Sequence, residues 1–235
     1  IRHQVFFDHT IKFPVDFAYT IDSCELGEIV WQTFNAGSVW VDIQGITAHP
    51  MSSKGQLLNP ILVAHDFIGM LDRGQTPEFT EKTEGFVWVN GIQGGPAKCR
   101  VSLKLRDHSL KRYEEKKTLI RAIVDCLRVR YPRAKINLTI EDVYGNIADA
   151  IKPENSACID MLRRAMEIEH VTVKDIAMRG GTDGSFISTQ GIPTPNYFTG
   201  AHNFHSACEF MPMSSWLKSL AVTLRLVELA AGVTE

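Results

Sequence analysis

Imidazoles and a carboxylate crowd one short stretch, His202-Asn203-Phe204-His205-Ser206-Ala207-Cys208-Glu209. Neutral imidazole and carboxylate are the usual oxygen and nitrogen donors to Zn²⁺. This spacing falls in a loop, so it lacks the one-face geometry of a helical His-Glu-x-x-His pair; hydrogen-bonded surface histidines are the alternative. Asp22 closes the apolar stretch Phe17-Ala18-Tyr19-Thr20-Ile21, and strand carboxyl ends in α/β sheets present ligands to a crevice; a turn or cap residue is the alternative. His49, in Gly45-Ile46-Thr47-Ala48-His49-Pro50, can polarise a carbonyl oxygen or serve as a buried structural histidine. Arg179 precedes Gly180-Gly181-Thr182-Asp183-Gly184, where a planar guanidinium and open backbone N–H groups can hold a carboxylate. No Gly-Lys-Ser/Thr follows, and the glycines are not spaced as Gly-x-Gly-x-x-Gly, which argues against nucleotide binding. Arg106, just before Asp107, can also hold a carboxylate or form a surface ion pair.

These residues need elements to position them. Residues 16–21 and 28–34 read as strands. Val39, Val41 and Ile43 alternate with Trp40, Asp42 and Gln44, the period of a half-buried strand. A helix follows over 60–71, starting near Gln56. Strands at 86–92 and 99–105 flank a turn at Gly94, Gly95 and Pro96. A charged amphipathic helix spans 111–131 with Leu119, Ile123, Val124 and Leu127 on one face, and a strand closes the segment at 136–143. The order β-α-β-β-α-β is the ferredoxin-like split unit, inserted into flanking α/β layers. Beyond it come a helix over 153–168, a short strand at 175–178, the glycine-rich loop, a buried strand near 195–199, and a last helix over 214–231 with Ser214 as N-cap. The domains expected are 1–34, 35–145 and 146–235. The four tryptophans are assigned to core and interface.

The formal charge of −2 over 235 residues lacks the basic surplus that a phosphate backbone or anionic membrane requires. With no aromatic base-stacking pattern either, an RNA-recognition role for the insert is excluded. No apolar run reaches the length of a membrane span, and residues 1–13 lack the pattern of a secretory leader. Five scattered cysteines without a Cys-x-x-Cys pair point to reduced thiols rather than a disulfide framework or a thiolate metal site.

In order, FAYTID, ELGEI, FNAGSV, GITAHP with SSKG, LRD, IED with YGN, RGGTDGS and GIPTPNYFTGAHNFHSACEF resemble the peptidase T family. Those proteins are tripeptide aminopeptidases of the co-catalytic dinuclear-zinc peptidase and deacylase superfamily. The resemblance runs from about residue 13 to 231. It implies a cytoplasmic hydrolase with a zinc-aminopeptidase-like α/β catalytic domain, the insert forming a lid that in relatives is often the dimerisation surface. It further implies that Asp22 binds one zinc and His205 the other, and that His49 contacts the scissile carbonyl and its oxyanion. Arg106 and Arg179 would grip the peptide's C-terminal carboxylate, with Asn146 lining the same pocket. His202 matches a position usually aromatic and takes no ligand role. The family's His-x-Asp motif, bridging Asp and Glu pair are not in this sequence, so the chain resembles the C-terminal part and is expected not to hydrolyse peptides alone. A non-catalytic binding or dimerisation module is the alternative.

Overall fold

The computed structural model describes residues 15–22 and 24–232. Residues 1–14, which include the 1–13 stretch expected not to be a secretory leader and the start of the first expected domain, lie outside them. Two four-stranded sheets, each with its own core, organise the described residues.

The second sheet belongs to the insert. It contains β3 (Asn35–Gln44), β4 (Phe86–Gly94), β5 (Lys98–Asp107) and β6 (Lys135–Tyr144) in the order β4-β5-β3-β6. All pairs are antiparallel. Helices α1 (Pro60–Gly69) and α2 (Leu110–Arg130) pack against it, completing the expected ferredoxin-like unit. Val39, Val41 and Ile43 are at most 1% exposed; burying each such side chain contributes about 1.5–3 kcal/mol.

Several local expectations are corrected. Helix α1 starts at Pro60 rather than near Gln56, because Leu58 is held in a bridge to Ile46 and the Asn59 side chain caps the helix by accepting from Ile61 N–H. In α2, Ile120 faces the core and Leu119 is 45% exposed. Ser109 caps α2, and Arg128 and Arg130 lie in its last turn, where positive charge complements the helix dipole.

The first sheet contains β1 (Thr20–Ile21), β2 (Glu28–Gln32), β7 (Lys174–Ala177) and β8 (Asn196–Tyr197), in the order β1-β8-β2-β7. β1 is parallel to β8, and β2 is parallel to β7 and antiparallel to β8. β1 is far shorter than expected. Ala18 and Thr20 donate to the Pro193 and Pro195 carbonyls, but those prolines have no N–H to return and the ladder stays one-sided.

Helix α3 (Ile147–Ala150) is followed by turns, and α4 (Ala157–Ile168) starts four residues later than expected. The Asn155 side chain binds Lys152 N–H and the Ala150 carbonyl, holding the intervening segment in a turn. Helix α5 (Asp183–Thr189) replaces the end of the expected glycine-rich loop. Helix α6 (Met213–Ala230) is entered through Pro212 with no side-chain cap, so Ser214 is not its N-cap.

Candidate functional site

The parallel register Ile21↔Tyr197 makes β1 and β8 end at the same edge of their sheet. Asp22 leaves that edge exposed. Its backbone carbonyl accepts from Asn196 Nδ2 at 2.6 Å, and Cys24 follows in the left-handed region at φ 67°. Gly200 N–H donates to the Cys24 carbonyl at 3.1 Å, tying the turn after β1 to the loop after β8.

That second loop carries the histidines. His205 is exposed with φ 61°, and Asn203 has φ 56°. Asn tolerates that conformation, whereas holding His205 left-handed costs on the order of 1–2 kcal/mol, the kind of strain that concentrates at functional sites. The Glu209 carboxylate fixes the bend by accepting His205 N–H at 2.8 Å. His202 stacks on Phe210, with ring centroids 5.2 Å apart, and lies 3.5 Å from the Glu25 carboxylate. It thus fastens the two loops together.

Arg179 spans the two halves of the fold. Its Nη1 donates to the Lys82 and Glu84 carbonyls at 3.1 and 2.9 Å, and its Nη2 to Thr80 Oγ1 at 2.9 Å. The guanidinium also lies over the rings of Phe34 and Phe86, 5.3 and 5.5 Å from their centroids. Arg106 donates to the Gly37 and Leu105 carbonyls and stacks over Tyr144, so it is not the surface ion pair considered from sequence. The same Tyr144 ring explains Gly181: a Cβ there would sit 2.4 Å from it.

Asn146 is buried where the chain passes between the sheets. Its Oδ1 accepts from Thr33 and Ala148 N–H at 2.8 and 3.0 Å, and its Nδ2 donates to the His108 carbonyl at 2.9 Å. Asn35 reciprocates, accepting Asn146 N–H on Oδ1 and donating to Asp149. Thr33 Oγ1 joins Ile147 N–H to Ser185 Oγ. Asn146 and Asn35 also line a cleft of about 390 Å³.

His108, beside this junction, is buried, and its ring lies 4.4 Å from that of Phe34. Neither ring nitrogen reaches a partner at full hydrogen-bond geometry. Burial therefore lowers its pKa, against opposing pulls from Asp107 and the Thr33 backbone.

His49 stands apart. It is exposed in the loop after β3, where Nδ1 accepts from Met51 N–H at 3.2 Å, so it is not a buried histidine. An accepting Nδ1 leaves the neutral ring's proton on Nε2. Arg106 pairs with Ala36 near one end of β3, whereas His49 follows Gln44 at the other; nine strand steps separate those ends by roughly 30 Å. The structure therefore joins the loops of Asp22 and His205, gathers Arg179 with the 80–84 segment, and keeps His49 distant from Arg106. Among the described residues no group of three or more His, Cys, Asp or Glu side chains gathers as a metal site.

Residues 32–135 match the peptidase dimerisation domain family. A peptidase T-like protein of Yersinia pestis is 48% identical over 212 residues, covering 90% of this chain and 52% of that protein. Peptidase T of Alkaliphilus oremlandii is 40% identical over 93% of this chain and 53% of its own length. The chain is a relative of peptidase T. It spans about half the length of the curated relatives it matches. Among solved structures, a Staphylococcus aureus tripeptidase superposes with a TM-score of 0.73 at 23% identity, covering 92% of this chain and 57% of that one. A Bacillus subtilis protein described as a dinuclear metal-binding peptidase of the M20 family gives a TM-score of 0.64 at 12% identity, over 89% and 55%. At those identities the likeness is one of fold, and it confirms the α/β architecture with a lid-like insert.

Sequence reasoning missed Thr33, Asn35, His108, Asn196 and the 80–84 segment. None sits in a spacing that signals chemistry; each acquires a role only through partners distant in sequence.

Proposed function

We propose that this chain forms one part of a zinc-dependent aminopeptidase that releases the N-terminal residue of tripeptides. The observation that carries this reading is the parallel pair β1 and β8, which brings Asp22 and the strained His205 loop to one strand-end edge. Open α/β sheets bind ligands at that kind of edge. Two donors do not close a zinc site, since catalytic zinc takes about three protein ligands. Asp22 and His205 would each serve one of two ions, with the other ligands coming from outside the described residues. Bound zinc would polarise the scissile carbonyl and acidify a water.

The chain's own groups then bind and orient. Arg106 and Arg179 offer positive charge to the substrate's terminal carboxylate. Because Arg179 donates to the 80–84 segment, a carboxylate would have to displace those carbonyls. Asn146 holds the cleft wall in register through its buried bonds. His49 presents Nε2–H for the developing oxyanion, and reaches the site only by closure of the lid or from the lid of a second copy. Residues 35–145 would be that lid and the surface of a homodimer. A second reading, a binding or dimerisation module without hydrolysis, draws on the match of residues 32–135 to a dimerisation domain family. No helix among the described residues is long and apolar enough to cross a membrane, and the location proposed is cytoplasmic.

The test uses the chain alone and the chain fused behind the unmatched part of the Yersinia relative, each with zinc and a tripeptide. The chain alone is expected to give no turnover above a metal-only blank. The fusion should turn over, and His205→Ala should abolish that activity. A folded fusion that binds two zinc ions and leaves tripeptides intact would favour the binding-module reading.

A further inference from the structure

Asn196 is fully buried, yet only half of its amide is used. Its Nδ2 donates to the Asp22 carbonyl at 2.6 Å and to the buried Cys24 Sγ at 3.5 Å. Its Oδ1 has no partner among the described residues. Leaving a buried acceptor unpaired costs free energy, so an orphaned atom of this kind calls for a role that outweighs the cost. The role lies on the Nδ2 side.

The backbone makes Asn196 a rigid anchor. β8 lies between β1 and β2, and Asn196 pairs with Thr20 on one side and Val30 on the other. The next residue, Tyr197, points to the opposite face, where its hydroxyl shares a 2.6 Å hydrogen bond with Thr223 Oγ1 of α6. From this fixed position the Asn196 amide reaches past Ile21, where β1 stops. Beyond that end the chain turns sharply, with Cys24 left-handed at φ 67°. Two ties from the β8 side hold the turn: Asn196 on the Asp22 carbonyl, and Gly200 N–H on the Cys24 carbonyl at 3.1 Å. The Asp22 carboxylate is itself exposed, so its direction is set through its backbone.

We propose that Asn196 is the positioning residue for Asp22, fixing through the Asp22 carbonyl the direction in which that carboxylate meets a divalent metal ion. The inference rests on the reading of Asp22 as a zinc ligand. Hydrogen bonds that orient a ligand from outside the coordination shell carry about 10–100-fold in metal affinity, and a donor on a strand holds geometry more tightly than one on a loop. An asymmetry follows. Asp22 serves one of two ions, whereas the His205 loop is bent by Glu209 and not by Asn196. Loss of the Asn196 amide therefore weakens one ion and spares the other. A merely structural role would lower stability and loosen both together.

The test uses the chain fused behind the unmatched part of the Yersinia relative, with zinc affinity read by competition against a chelating indicator. Asn196→Leu keeps nearly the shape of the side chain and removes the Nδ2 donor. The expected result is that one of the two ions weakens about 10–100-fold while the other stays within about twofold. KM for the tripeptide should be unchanged, and excess zinc should restore kcat. Asn196→Ser removes the same amide without adding apolar bulk and should shift the same ion, which keeps the test standing if the leucine variant does not fold. Tyr197→Phe loses the Thr223 bond on the opposite face of β8 and should leave both affinities as in the parent. Unchanged affinities in the Asn196 variants, or both ions weakening in parallel with a fall in Tm, overturn the proposal alone. A parent fusion that binds no zinc overturns the functional reading and this inference with it.

Discussion

Replacing Arg179 by methionine keeps most of the side-chain stem and removes the guanidinium that joins the 80–84 segment to the rest of the fold. Three hydrogen bonds disappear, to Lys82 O, Glu84 O and Thr80 Oγ1, along with the stacking on Phe34 and Phe86. A hydrogen bond to a charged group contributes about 1.5–3 kcal/mol when well shielded. The two carbonyl bonds here are exposed, so solvent reduces them well below that range, and cation–π contact at such a site adds about 0.5–1 kcal/mol. The summed expectation is about 2 kcal/mol. For a chain of this size that corresponds to a fall in Tm of about 4–8 °C, together with faster amide exchange confined to residues 80–86. Arg179→Lys retains the charge but not the planar fork, and should recover less than half of the loss. Thermal melts and hydrogen-exchange mass spectrometry on the three proteins decide it. An Arg179→Met protein with Tm within 1 °C of the parent and unchanged exchange over 80–86 would refute the reasoning.

Asp107 is fully buried and bonded to Lys116 at 2.7 Å and Arg112 at 3.1 Å; Asp107→Asn leaves the buried Lys116 ammonium without its counter-charge and should cost about 3–5 kcal/mol, read as a shift in urea midpoint. His108 supplies a pH dependence of defined sign. Because burial lowers its folded pKa, the unfolded chain binds the proton more readily, and stability falls as pH drops below about 6.5. Urea midpoints between pH 7.5 and 5.5 should decline in the parent and decline less in His108→Gln; parallel declines would remove His108 as the cause.

The sequence by itself determined the insert. Alternation in 39–44 and the amphipathic run of α2 are local consequences of side-chain periodicity, and a β-α-β-β-α-β order leaves few ways to close one core. It also set out Asp22, His205 and the arginines as chemically apt residues, and its string of motifs carried the kinship with peptidase T. Local rules failed where long-range contacts overrode them. β1 is short because the chain leading into it donates to Pro193 and Pro195, which have no N–H to return, and α5 forms although glycines flank its start, with Ser185 Oγ accepting Thr182 N–H. Only the tertiary structure decided what the candidate groups touch. Arg179 meets carbonyls 95 and 97 residues away, and Asn146 binds Thr33 across 113 residues. A hydrogen-bond donor carries no signature of its acceptor until the chain has brought the two within 3 Å, so such partnerships are properties of the fold and not of any segment.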